Sequence, residues 1–158
     1  FCKKSMENEA WVMEKFTGYV REPFYYETDQ MGIIHHSNYI RWFEEARVAL
    51  LVHLGFPYKK IEESGIIIPV LEVNCSYKEM IHYGEKVSIH PTIQKYTGTR
   101  LDFSYEIVGT EDKKLKTTGS SKHCFLLSDS QRLVKLSKVN PELDQLFQAY
   151  ASLDDVNS

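Results

Sequence analysis

A chain of 158 residues, 42% hydrophobic and 26% charged, is long enough for one domain with a real core and too short for a second of ordinary size. Its net charge of −3 lacks the basic excess that a nucleic-acid partner requires. Three cysteines with no close pair, Cys2, Cys75 and Cys124, offer neither a disulfide framework nor a CxxC site and point to a reducing cytoplasm, and no apolar run approaches the ~20 residues that span a bilayer.

Phe1 to Val12 mixes Lys3, Lys4, Glu7 and Glu9 without an apolar centre, which is not the pattern of a secretory signal. Patterned sequence begins near Met13, so a single domain is expected over 13–151, after an N-terminal extension or remnant at 1–12 and before a tail at 152–158. Gly18 to Glu27 is rich in Tyr, Val and Phe and predicts a strand, with Pro23 placing it at an edge or a bulge. The run Asp29-Gln30-Met31-Gly32-Ile33-Ile34-His35-His36-Ser37-Asn38-Tyr39 then sets a carboxylate, a glycine turn and two histidines before an apolar helix. Ser37 or Asn38 can cap that helix. Tyr39, Phe43, Ala46, Leu50 and Leu54 recur at spacings of three and four until Gly55 and Pro57, which makes about four turns. Val48, Leu51 and Val52 widen the apolar stripe, so the helix is expected to be largely wrapped, with a curved sheet as the wrapper. Tyr58 to Ser64 predicts a further helical turn or two before Gly65.

From Ile66 the period changes to two. Four extended segments follow: Ile66–Tyr77 with Pro69 near its start, Lys86–Tyr96, a third carrying Leu101, Phe103, Tyr105 and Ile107 on one face, and Leu115–Leu127. Arg132 to Leu136 can add a short pairing piece, Asn140-Pro141 opens a helix through about Tyr150, and a frayed tail is expected from Asp154. The whole reads as one α+β unit, with a helix inside an antiparallel sheet.

The chemistry sits at the start of that helix. Helix starts carry unpaired N–H groups and partial positive charge, so a carbonyl oxygen could be held there beside an aspartate that attacks it or activates water. That is a geometry for acyl-group hydrolysis. Asp29 alone would pass for a turn residue capping the Gly32 loop; the resemblance that the complete spacing through Tyr39 and Arg47 carries, given below, implies catalysis instead. His36 can act through its ring or only through its backbone, and His35 is assigned a structural role. A metal site would draw on Asp29, His35 and His36, but adjacent histidines in extended chain point apart and there is no second ligand cluster, so no metal is expected. There is no G-x-S-x-G, and Cys75 and Cys124 fall in predicted strands as inert apolar residues. Tyr39 and Phe43 are core residues by spacing, with Tyr39 the better candidate for lining an acyl pocket.

Asp29-x-x-Gly32-x-x-x-His36-x-x-Tyr39, followed by Arg41-Trp42-Phe43-Glu44-Glu45-Ala46-Arg47, resembles the hotdog-fold acyl-CoA thioesterases of the 4-hydroxybenzoyl-CoA thioesterase superfamily, and in particular its YbgC-like branch. Tyr96 to Ile107 and Asn140-Pro141-Glu142-Leu143 extend the likeness to about residues 17–150. The resemblance implies a five- or six-stranded antiparallel sheet curled around the helix, assembled as a homodimer or homotetramer with active sites at the dimer interface. It also implies Asp29 as the catalytic carboxylate, and His36, seven positions on, as donor of a backbone N–H to the thioester carbonyl. Gly32 and Tyr39 then belong to the substrate site. Lys95, Thr99 and Arg100 lie near a turn where related enzymes hold the nucleotide or pantetheine of CoA; the plainer alternative is an exposed strand end. The implied activity is cytoplasmic acyl-CoA hydrolysis with no cofactor beyond the CoA of the substrate. Acyl-carrier-protein thioesters are an alternative substrate, and acyl-CoA sensing without hydrolysis an alternative function. A hotdog dehydratase needs a hydratase motif that the sequence lacks.

Overall fold

Between Val87 and Cys124 nearly every second side chain is buried, and there the chain makes the centre of an antiparallel sheet. The computed structural model describes residues 2–4 and 11–156. In chain order its strands are β1 (Cys2–Lys4), β2 (Trp11–Met13), β3 (Tyr19–Arg21), β4 (Ile66–Ile67), β5 (Val70–Tyr77), β6 (Val87–Tyr96), β7 (Arg100–Gly109), β8 (Leu115–Cys124) and β9 (Leu126–Leu127). The helices are α1 (Asn38–His53), α2 (Tyr58–Glu63), α3 (Leu136–Val139) and α4 (Pro141–Val156). β1 pairs with β2 and β4 with β9, while the main sheet runs β3-β6-β7-β8-β5.

Cross-strand register gathers Ile89, Ile107 and Thr117 in one row and Ile93, Phe103, Ser121 and Val73 in another, all on one face. The 16 residues of α1, roughly 24 Å of helix, lie on that face and bury Trp42, Phe43, Ala46 and Leu50 completely. This is the hotdog arrangement. Close approach is possible because Gly119 has no side chain: a Cβ there would lie 2.5 Å from the Phe43 ring, which stacks on Tyr105 at 4.4 Å. Phe43 is therefore core.

Pro91 lies inside β6, where a missing N–H would normally break a ladder. β3 pairs only with Val87 to Ile89, so beyond them that side of β6 is open, and two residues after Pro91 the N–H of Ile93 is taken by Asp154 at 2.9 Å. The last helix thus runs past Tyr150, and Asp154, placed by sequence in a frayed tail, is 3% exposed. Three other expectations change. The strand expected over 18–27 shrinks to Tyr19–Arg21, because Arg21 turns inward onto Glu27 and the chain between them closes into a 3-10 turn at Tyr25–Glu27. Ile66–Tyr77 is interrupted at Ile68-Pro69, splitting β4 from β5. Leu51 is buried, but Val48 and Val52 are 39% and 45% exposed, so one flank of α1 is uncovered in the monomer. The piece expected over 132–136 forms a bridge between Leu133 and Leu126. Among the described residues no helix is long and apolar enough to cross a membrane.

Candidate active site

The loop before α1 is built on Glu27. This buried carboxylate receives two N–H groups of Arg21 at 2.9 and 3.1 Å, the Trp42 indole N–H at 2.9 Å and the Phe24 amide at 2.7 Å. Arg21 also reaches Glu45 at 3.1 Å, so the pair is a hydrogen-bonded cluster with no bare buried charge. The backbone carbonyl of Glu27 accepts the His35 N–H at 2.8 Å and the Asn38 side-chain amide at 3.0 Å. Strand, loop and helix start are thereby fixed to one another.

Within this frame Asp29 to Ile33 makes a tight reverse turn. Asp29 N–H donates to Ile33 at 2.9 Å, and Gly32, at a φ of +76° that suits glycine, donates to the Asp29 carbonyl at 3.1 Å. One carboxylate oxygen of Asp29 takes the Met31 N–H at 2.8 Å, which is the turn role open to any aspartate. Its other oxygen takes no hydrogen bond among the described residues.

The capping expected of Ser37 or Asn38 takes another form. Ser37 occupies the N-cap, yet its hydroxyl lies 2.8 Å from His35 Nδ1 and its N–H donates to the same nitrogen at 3.2 Å. Asn38 is buried and serves the Glu27 and His35 carbonyls. The chain has already turned here, so the two histidines do not point apart as extended chain would require: their rings lie 4.1 Å apart, tilted by 30°. His35 N–H, Ser37 N–H and Asn38 N–H all have acceptors; the His36 N–H has none among the described residues.

Asp29, Ile34, His36 and Tyr39 line one cleft of about 310 Å³ together with Tyr77 to Met80 at the end of β5. Tyr39 is 3% exposed, and burial pushes its phenol up to about 12, so it stays a neutral wall of the cleft at physiological pH. Tyr77 meets it edge-on at 4.9 Å and donates its hydroxyl to the His36 carbonyl at 3.0 Å. Sequence reasoning missed Tyr77, which stands at the end of an alternating strand with no motif to mark it, and Glu27, a lone carboxylate among aromatics. Lys95, Thr99 and Arg100 are not brought into this cleft: they occupy the β6–β7 hairpin at the opposite end of the sheet. Gly32 shapes the loop and does not line the cleft.

A sequence model of the thioesterase-like superfamily matches residues 25–147. The chain belongs to that superfamily. Over 118 residues, 75% of this chain and 85% of its relative, the sequence is 37% identical to YneP of Bacillus subtilis, provisionally named an acyl-CoA thioesterase. It is 26% identical over 92 residues to the acyl-CoA thioester hydrolase YbgC of Escherichia coli, 58% of this chain and 69% of that protein. Among solved structures, one described as a DHNA-CoA thioesterase from Staphylococcus aureus superposes with a TM-score of 0.83 at 36% identity, covering 89% of this chain and 93% of that one. This member of the thioesterase-like superfamily is a thioester hydrolase with the hotdog fold. A thioester carbonyl gains negative charge on its way to the tetrahedral state, so a fixed N–H at a helix start favours the transition state over the substrate.

Proposed function

We propose that the protein hydrolyses acyl-CoA thioesters, with Asp29 as general base and the backbone N–H of His36 as donor to the thioester oxygen. The observation that carries this is a half-buried carboxylate and an amide with no acceptor among the described residues, lining one cleft at the start of α1. Water held by the free oxygen of Asp29 attacks the carbonyl carbon and gives its proton to the carboxylate. Collapse of the tetrahedral state breaks the C–S bond, and the departing CoA thiolate takes up that proton. The same oxygen could attack directly and form a mixed anhydride, a route that a pre-steady-state burst of CoA would reveal and the general-base route lacks. CoA is favoured over an acyl-carrier protein by the naming of the relatives. A sensor that never hydrolyses would gain nothing from a carboxylate in this cleft.

The working unit is a homodimer. β5 pairs on one side with β8 and presents its other edge along eight residues, with Val70, Leu71 and Tyr77 each about half exposed. Such an edge is a template for a second copy, and two-fold pairing sets the Val70 end of one protomer against the Tyr77 end of the other. That places the partner's hairpin cations, Lys95 and Arg100, with Thr99, on the side of the cleft where CoA phosphates can be met. Tyr25, Tyr26, Met31, Met80 and Tyr83, all more than half exposed near the Asp29 loop or the end of β5, add apolar surface for the contact. Light scattering distinguishes this dimer from a homotetramer made of two. A cytoplasmic setting suits the free thiols of Cys75 and Cys124, and the chemistry calls for no cofactor beyond the CoA of the substrate.

The test is release of free thiol from a panel of short, long and aromatic acyl-CoA substrates. Turnover of any of them is expected; tight binding of acyl-CoA with no thiol released would leave the sensor.

A further inference from the structure

Lys116 is 3% exposed, and three carboxylates converge on its ammonium. Nζ donates to Asp112 at 2.7 Å, and Glu79 and Glu85 stand within ion-pair reach at 3.7 and 3.8 Å. The β7–β8 register passes from Ile107 opposite Thr117 to Val108 opposite Leu115, so Lys116 is the extra residue of a bulge in β8. Room for the cluster depends on Gly109: a Cβ there would strike Asp112 Oδ1 and meet Lys116 Cε at 3.2 Å. The hydrogen bond to Asp112 raises the ammonium above the ordinary lysine value against the pull of burial, so it stays charged.

The cluster stands behind one wall of the Asp29 cleft. The carbonyl of Lys116 accepts the N–H groups of Lys78 and Glu79 at 2.9 and 3.0 Å, and both residues line the cleft. Farther along the same connection His82 bridges to Ile33, and the Ile81 carbonyl accepts the Ile34 N–H at 2.8 Å. The Asp29 loop therefore leans on a segment that Lys116 anchors. Lys116 also sets the charge of that wall. The titratable groups that share the cleft with Asp29 are His36, Tyr39, Tyr77, Lys78 and Glu79. Behind Glu79 stand Lys116 and, at 3.8 Å, the exposed Lys114, while Glu85 reaches His82 at 3.2 Å on its other side. With Lys116 in place the three carboxylates face two ammonium groups; without it they face one, and the excess negative charge falls on the cleft wall. The field of the cluster reaches the cleft, because the Tyr39 phenol, pushed up chiefly by burial, is raised further by both Glu85 and Asp29.

Resting on the reading of Asp29 as general base, we propose that Lys116 is a positioning residue for thioester hydrolysis: it anchors the wall on which the Asp29 loop leans and cancels the charge of Glu79. Asp29 is then the one uncompensated carboxylate of the cleft among the described residues. An uncancelled negative charge on that wall would favour the protonated form of Asp29, which cannot take a proton from water.

The test follows the Asp29 carboxyl by carbon NMR titration of the intact protein and, on the same samples, the acid limb of kcat/KM for acyl-CoA hydrolysis, which reports ionisation of the base in the free enzyme. Lys116→Met is expected to move both midpoints up by about half a pH unit or more. Glu79→Gln, made at an exposed side chain, moves both down and serves if the Met variant does not fold. In the double variant both return close to the wild-type position, and Lys116→Arg, which keeps the charge, leaves them there. A folded Lys116→Met protein with an unmoved Asp29 midpoint, a Glu79→Gln midpoint that does not fall, or a double variant that stays shifted overturns the proposal. Wild-type turnover that is lost in Asp29→Asn would then still uphold the hydrolytic reading. If no thioester is cleaved, or if the NMR midpoint moves and the acid limb does not, the general-base reading fails and takes the positioning role with it.

Discussion

Tyr77, the last residue of β5, donates its hydroxyl to the backbone carbonyl of His36 at 3.0 Å, so the edge strand holds the peptide that leads into α1. The bond fixes the His36–Ser37 peptide, the plane next to the His36 N–H proposed as donor to the thioester oxygen. Tyr77→Phe keeps the ring contact with Tyr39 and loses this bond together with the hydroxyl's contact to Cys75. About 1 kcal/mol of orientation is at stake, so kcat is expected to fall roughly fivefold with little change in melting temperature, since the side chain is half exposed. An unchanged kcat would detach β5 from the catalytic geometry.

Glu27 holds the loop from a buried position. Glu27→Ala would leave Arg21 with Glu45 and the Glu22 carbonyl, and the Trp42 N–H without its acceptor in the core. Breaking a buried pair costs roughly 3–5 kcal/mol, and the surviving Glu45 contact puts the expected loss at the lower end. Denaturant unfolding measures it, and Glu27→Gln, which still accepts from Trp42, should recover part.

His123 gives a pH signature. Its folded-state value of about 4 lies below the ordinary 6.5, so the unfolded chain binds a proton that the folded one refuses. Stability from this residue is therefore complete above pH 6.5 and is lost as pH falls from 6.5 towards 4, with a ceiling of about 3 kcal/mol. An NMR titration of the ring should show a midpoint near 4. A midpoint near 6.5 would mean that the ring is not buried beside the Arg47 charge.

Gly119→Ala should destabilise the fold by about 2 kcal/mol, because the new methyl meets the Phe43 ring and the Asn74 carbonyl, the second of which cannot yield. Combining it with Phe43→Leu should return only part of the loss in a thermal melt.

Much of this was legible in the sequence, for physical reasons that differ by region. The alternation from Leu101 to Ile107 and the three-four spacing from Tyr39 to Leu50 reflect burial against a single face, which local pattern encodes directly. The Asp29 to Tyr39 motif is local too, since turn and helix start adjoin in the chain. Tyr77 and Glu27 were invisible because their partners, His36, Arg21 and Trp42, lie 41, 6 and 15 residues away and only the fold introduces them. The exposed flank at Val48 and Val52 was misjudged because an apolar stripe does not say whether its own chain or a second copy will cover it. The tail was misjudged at Asp154, whose carboxylate answers the bare edge of β6 beside Pro91.

Asp29 supplies the central test, because its role separates catalysis from a turn that merely needs an aspartate. Asn keeps the acceptor for the Met31 N–H and so keeps the loop. Thiol release by Asp29→Asn, measured on the best acyl-CoA substrate with folding checked by circular dichroism, should fall by about a hundredfold or more while substrate still binds. A folded variant that turns over at close to the wild-type rate would contradict it.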